Sequence, residues 1–90
     1  MNTRQELIRL RAEALPWRLL EGEVVALDLT QSVYLTANTS GALLWEALAR
    51  GTTRSELAGI LVEAYGLDAD RAAEDVDAFL AEAAARHLLA

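Results

Sequence analysis

The one imidazole of the chain, His87, stands three residues from the end of the sequence. Nucleophilic hydrolysis needs a nucleophile, a base and an orienting group within hydrogen-bond reach of one another, and serines without a well-placed histidine assemble no such triad. His87 reads more simply as a helix C-terminal residue facing the last carbonyls and the negative end of the helix dipole. The carboxylates Asp68, Asp70, Glu74, Asp75 and Asp77 invite a metal reading. They lack the glycine and the spacing of a calcium loop, and on a helix they spread over the first turn and a solvated face. No cysteine is present, which removes thiolate ligands, disulfides and cysteine nucleophiles together. The glycines at 22, 41, 51, 59 and 66 are isolated, so no phosphate-cradling loop exists and no cofactor is expected. These residues argue against an enzyme and for a binding module.

Size and charge sharpen that expectation. With 90 residues, 48 of them apolar and 22 charged, the chain makes one small domain, in which a deep catalytic pocket would compete with the core. Eighteen alanines inflate the apolar count, and 17 leucines and two tryptophans supply most of the burying power. The net charge of −6 repels nucleic acid and anionic membrane surfaces. No apolar run reaches the roughly 18 residues of a membrane span, and the opening MNTRQELIRLRAEAL interleaves charge where a secretory signal has an unbroken apolar stretch. A cytoplasmic protein is expected.

The elements that would position a binding site follow from periodicity. Thr3 and Glu6 are spaced as a capping box, with Leu7, Leu10 and Ala14 on one stripe; residues 3–14 therefore read as a short extra N-terminal helix or arm, stopped by Pro16, ahead of a domain over 17–90. The period then becomes two. Strands are expected at 17–20, 24–29 and 32–37, joined by tight turns at Glu21-Gly22 and Thr30-Gln31. Asn38 caps a helix over 39–50 that ends at Gly51, with Leu44, Trp45 and Leu48 inward. Thr53 and Glu56 form a second capping box before the stripe Leu57, Ile60, Leu61, Ala64, Tyr65, which stops at Gly66. Asp68 caps a third helix whose stripe is Ala72, Val76, Phe79, Leu80 and Ala83. Gly41 and Gly59 lie inside helices, where each costs up to about 1 kcal/mol relative to alanine, so a close backbone approach is the physical reason expected there. The fold class is α+β: a three-stranded antiparallel meander followed by three helices that cover one face.

Three helices beside a small sheet also outline a winged helix-turn-helix regulator, but its third helix would present Asp70, Glu74, Asp75, Asp77 and Glu82 to phosphates against Arg71 and Arg86. An uncharged, β-prone stretch such as Ser32-Val33-Tyr34-Leu35-Thr36-Ala37 is an aggregation hazard as an edge strand unless something pairs with it. Val33, Leu35, Val76 and Phe79 are either an apolar slot beside that edge or ordinary core, with Asp75, Glu74 and Glu82 near enough in sequence to hold a polar group.

From Trp17 to Leu89 the chain resembles the PqqD family, the leader-peptide recognition elements of ribosomally made, post-translationally modified peptides. The matching pieces are Trp17-Arg18, Leu27-Asp28, Tyr34-Leu35, Asn38-Thr39-Ser40-Gly41-Ala42 with Leu44-Trp45, Gly51-Thr52-Thr53 with Glu56-Leu57, Tyr65-Gly66-Leu67-Asp68, Asp75-Val76 with Phe79-Leu80, and Leu88-Leu89. The resemblance implies a winged-helix-like fold without DNA binding. It also implies that a precursor's leader adds as an antiparallel strand beside the third strand, against the third helix. Mapped here, the docking edge is Ser32, Val33, Tyr34, Leu35 and Thr36, and the opposing wall is Ala72, Asp75, Val76 and Phe79. Within the family the chain is closer to the free-standing partner of lasso-peptide assembly, which binds a Tyr-x-x-Pro leader and hands it to a leader peptidase. The alternative is a peptide chaperone for a radical enzyme in quinone-cofactor biosynthesis. A monomer is expected.

Overall fold

The computed structural model describes residues 6–90. Three strands, β1 (Trp17–Leu20), β2 (Glu23–Asp28) and β3 (Val33–Ala37), form an antiparallel sheet in the order β1-β2-β3, followed by helices α1 (Thr39–Arg50), α2 (Arg54–Tyr65) and α3 (Ala69–Ala85). From β1 onward the element order is the one expected from the sequence. Glu21 and Gly22 both have positive φ, 55° and 81°, the mirror-image turn whose twist suits a two-residue hairpin. The second connection is longer than the expected Thr30-Gln31 turn: it spans residues 29–32, with Ser32 at φ 59°, so Ser32 belongs to the turn and not to β3.

The sheet buries one face. Val24, Ala26 and Asp28 point into the protein, while Leu27 and Leu29 on the opposite phase are 45% and 59% exposed. α1 packs on the sheet, α2 packs on α1, and α3 packs on α2; Ala42, Leu44, Trp45 and Leu48 of α1, Leu57 and Leu61 of α2, and Ala72, Val76 and Ala83 of α3 are all buried in one cluster with the inner face. The α2 stripe is narrower than its spacing predicts, since Ala64 and Tyr65 face solvent. Gly41 sits where α1 leaves the sheet, and a β-carbon there would lie 3.2 Å from the Ala37 Cβ, 3.4 Å from Asn38 Oδ1 and 3.7 Å from the Phe79 ring; the position is crowded by side chains, not by the expected backbone. At Gly59 nothing lies within 4 Å, so no packing reason exists there.

Each helix begins on its expected cap. The Asn38, Thr53 and Asp68 side chains accept from the amides of Gly41, Glu56 and Arg71, and Glu56 closes the capping box by accepting from the Thr53 amide. Thr53→Ala should therefore lower stability by about 1 kcal/mol, or roughly 4–8 °C in melting temperature for a domain of this size. Thr53→Ser, which keeps the acceptor, should melt with the parent; equal melting of all three proteins in a thermal scan would remove the cap from the account.

The expected N-terminal helix is not formed. Residues 3–5 lie outside the described residues, and 6–16 contain no helix. The Ile8 amide donates to the Thr52 carbonyl at 2.7 Å and the Ile8 carbonyl accepts from the Thr52 amide at 2.8 Å, the Leu10 amide donates to the Leu48 carbonyl at 3.0 Å, and the Arg11 amide donates to the Leu88 carbonyl at 2.7 Å. A helix of a dozen residues is marginal alone, and these tertiary partners satisfy the backbone while burying Leu10 and Leu15. Ala14, at φ 57°, then turns the chain into β1. His87 likewise lies beyond α3, at φ 62°.

Candidate peptide-binding cleft

The edge of β3 is open, and its backbone parity can be worked out from β2. Leu27 and Leu29 donate their amides to the carbonyls of Pro16 and Ala14 at 3.0 and 2.9 Å, on the β1 side. Backbone groups of successive strand residues point to opposite edges, so Val24, Ala26 and Asp28 direct theirs toward β3. Their register partners are Ala37, Leu35 and Val33, whose N–H and C=O groups are thereby used within the sheet. Tyr34 and Thr36 direct theirs outward, where no strand of the described residues follows.

Beside this edge runs a cleft of about 330 Å³. Tyr34, Leu35, Thr36 and Ala37 form one side, and Phe79, Glu82, Ala83 and Arg86 of α3 form the other. Its floor is Leu10, Trp45, Leu48 and Leu88, all buried. The mouth is charged, because Arg86 donates to Glu82 across one helical turn at 2.6 Å. Trp45 meets Trp17 edge-on, with ring centroids 6.2 Å apart and planes at 71°, and its indole N–H has no hydrogen-bond partner among the described residues. Apolar walls with a few polar groups at the rim, next to free strand amides, can take an extended peptide.

Of the nine residues assigned to the site from sequence, the fold brings Tyr34, Leu35, Thr36 and Phe79 to this cleft. Ser32 and Val33 are exposed just before it. Ala72 and Val76 are 0% exposed and belong to the core: α3 packs on α2, so a wall read from its small-residue stripe is a wall facing inward. Asp75 is half-buried in a neighbouring hollow with Asn38, Ser40 and Gly41, and Arg71 donates to it at 3.4 Å. The remaining α3 carboxylates face solvent, Asp77 paired with Arg54 of α2 at 2.5 and 2.6 Å. That contact holds the Asp77 carboxyl below its ordinary range, with partial burial opposing, although an exposed pair adds little to stability. No metal-binding cluster exists among the described residues.

Sequence reasoning missed the floor of the cleft, because Leu10 was placed on a helix that does not form. It also missed a polar hub at one end of the cleft. Asp28 is 1% exposed; one of its oxygens accepts from Arg11 Nη2 at 2.8 Å and from Gln31 Nε2 at 3.0 Å, and the other from the amides of Thr30 and Gln31 at 3.0 and 3.2 Å. Burial alone would raise this carboxyl's pKa, but the Arg11 hydrogen bond, the two turn amides and the Arg11 charge outweigh it and hold the pKa below normal. No local signal marks Asp28: Val25, Leu27 and Leu29 make the odd phase of the strand the more apolar one, and the fold buries the even phase instead.

A family model described as "Coenzyme PQQ synthesis protein D (PqqD)" matches residues 23–89, from the start of β2 through α3 to the floor residue Leu88. The chain belongs to the PqqD family. A solved structure titled "TbiB1 in Complex with the TbiA(beta) Leader Peptide" is similar at 25% identity with a TM-score of 0.83, covering 90% of this chain and 93% of that one. Among curated proteins none matches. The open edge of β3 and every lining residue of the cleft except Leu10 lie within the PqqD match, whereas β1 and the segment of Leu10 and Arg11 precede it. No helix of the described residues is long and apolar enough to cross a membrane.

Proposed function

We propose that this PqqD-family protein is a non-catalytic adaptor that captures the leader segment of a ribosomally made precursor peptide and delivers it to a separate leader peptidase of a lasso-peptide pathway. The observation that supports this best is the outward-facing backbone of Tyr34 and Thr36 beside an apolar cleft walled by α3, in a fold similar to one solved with a leader peptide. A strand added antiparallel to β3 would pair with both residues, each of its alternate side chains dropping toward Leu35 and Phe79 or lying on the outer face beside Tyr34. Its N-terminal end would lie at Ala37 and its C-terminal end at Val33, close to Arg86. Backbone pairing supplies affinity and the cleft supplies sequence preference. The protein is expected to act as a cytoplasmic monomer.

The test is titration of a fluorescein-labelled synthetic leader, made from the precursor reading frame adjacent to the gene, against the whole protein. Saturable binding at micromolar or lower concentration is the expected result, with amide shifts centred on 33–37 and on 79–86. No binding to any adjacent leader would overturn the reading, and shifts confined to α2 would move the site. Delivery is tested separately: addition of the protein should accelerate leader cleavage by the adjacent peptidase, and an unchanged rate would leave capture without delivery.

A further inference from the structure

At the Val33 end of the cleft the two walls are tied together by side chains that do not line it. Gln31, in the β2–β3 turn, donates through Nε2 both to Asp28 Oδ2 and to the carbonyl of Arg86, each at 3.0 Å. Arg86 is the C-cap of α3 and a lining residue of the cleft. A second tie runs behind the cleft, where Arg11 donates to Asp28 at 2.8 Å and, through Nε, to the carbonyl of His87 at 3.1 Å. The two carbonyls so held, those of Arg86 and His87, lie at and just beyond the α3 C-cap, where carbonyls run out of internal donor partners. The sheet edge and the helix thus have their separation at this end set by one buried carboxylate acting through Gln31 and Arg11.

We propose that Gln31 is a positioning residue for peptide capture: bridging Asp28 to the α3 C-cap, it holds the cleft at the spacing an added strand requires. The inference rests on the leader-binding reading and deepens it. A cleft whose walls are fixed beforehand spares the ligand the cost of ordering them, so affinity depends on the clamp even where the peptide never touches it. The Asp28 pair to Arg11 supports the same role, since it keeps the carboxylate charged and the acceptor for Gln31 permanent.

Gln31 is solvent-exposed, so its replacement spares the core. Gln31→Ala and Gln31→Glu, neither of which has a side-chain donor, should each bind the labelled leader about three- to tenfold more weakly than the parent, the worth of one or two hydrogen bonds. Hydrogen exchange on the peptide-free proteins should show faster exchange at the amides of residues 86–88, with the α2 C-cap amide of Gly66 unchanged as the control for global opening. Parent-like affinity in both variants overturns the proposal. So does weaker binding with unchanged exchange at 86–88, which would make Gln31 a direct peptide contact instead. If the parent protein captures no leader, the functional reading itself fails; the exchange measurement still decides whether the clamp exists.

Discussion

Thr36→Pro should abolish leader capture while leaving the domain folded. The amide of Thr36 points away from β2, by the parity that the Leu27 and Leu29 bonds establish, so proline there removes a donor that the isolated protein does not use. The Thr36 side chain is exposed, and an edge strand accepts proline at a position whose N–H faces solvent. Its preceding residue, Leu35, is already extended, as proline requires. For an incoming strand the consequence is different. One backbone hydrogen bond is lost and the ring occupies the place of the peptide carbonyl, which together weaken binding by about 50-fold or more. Leu35→Pro makes the instructive contrast. That residue pairs with Ala26, and proline would break the sheet itself, so the variant should fail to fold. Parent-like affinity of a folded Thr36→Pro protein, checked by circular dichroism, would exclude the β3 edge as the docking strand.

The second large effect is on stability. Asp28→Ala would leave the Arg11 guanidinium, whose side chain is 20% exposed, without its carboxylate and would uncap the amides of Thr30 and Gln31. Removing one partner of a buried pair costs far more than the pair contributes, and a fall in melting temperature on the order of 10 °C or more is expected. The pH dependence has a definite sign. Burial raises the Asp28 pKa, and the Arg11 hydrogen bond, the turn amides and the Arg11 charge lower it further than that, so the folded value lies below the unfolded one. Such a group contributes its full stability above the unfolded carboxylate pKa, near ~3.9, and loses it as pH falls through the lower, folded value. Melting curves from pH 6 down to 2 should therefore fall more steeply for the parent than for Asp28→Ala. Parallel curves would show that Asp28 does not couple protonation to folding.

Much of this molecule follows from local physics. Helix starts at Asn38, Thr53 and Asp68 are legible because a cap is a short-range hydrogen bond between a side chain and an amide three residues on. Strands expected at 17–20, 24–29 and 32–37 lie within one residue of the observed Trp17–Leu20, Glu23–Asp28 and Val33–Ala37 because the apolar period changes to two. The N-terminal segment shows where that reasoning stops. Glu6, Leu7, Leu10 and Ala14 have the spacing of an amphipathic helix, yet Ile8 and Leu10 are extended and pair with Thr52 and Leu89. Those partners lie more than 40 residues away in sequence, and local propensity over so short a stretch is too weak to compete with them.

The division at the binding site has the same origin. By itself the sequence determined the class of protein: a small acidic α+β domain bearing an uncharged strand and the ordered pieces of the PqqD pattern. It also located the strand edge. Only the tertiary structure decided which backbone groups of β3 are free, that Ala72 and Val76 are core while Phe79 lines the cleft, and that Asp28 gathers Arg11, Gln31 and the end of α3. Periodicity tells which residues share a face. Which neighbour that face meets, and which edge of a strand stays unpaired, depends on contacts between segments distant in the chain.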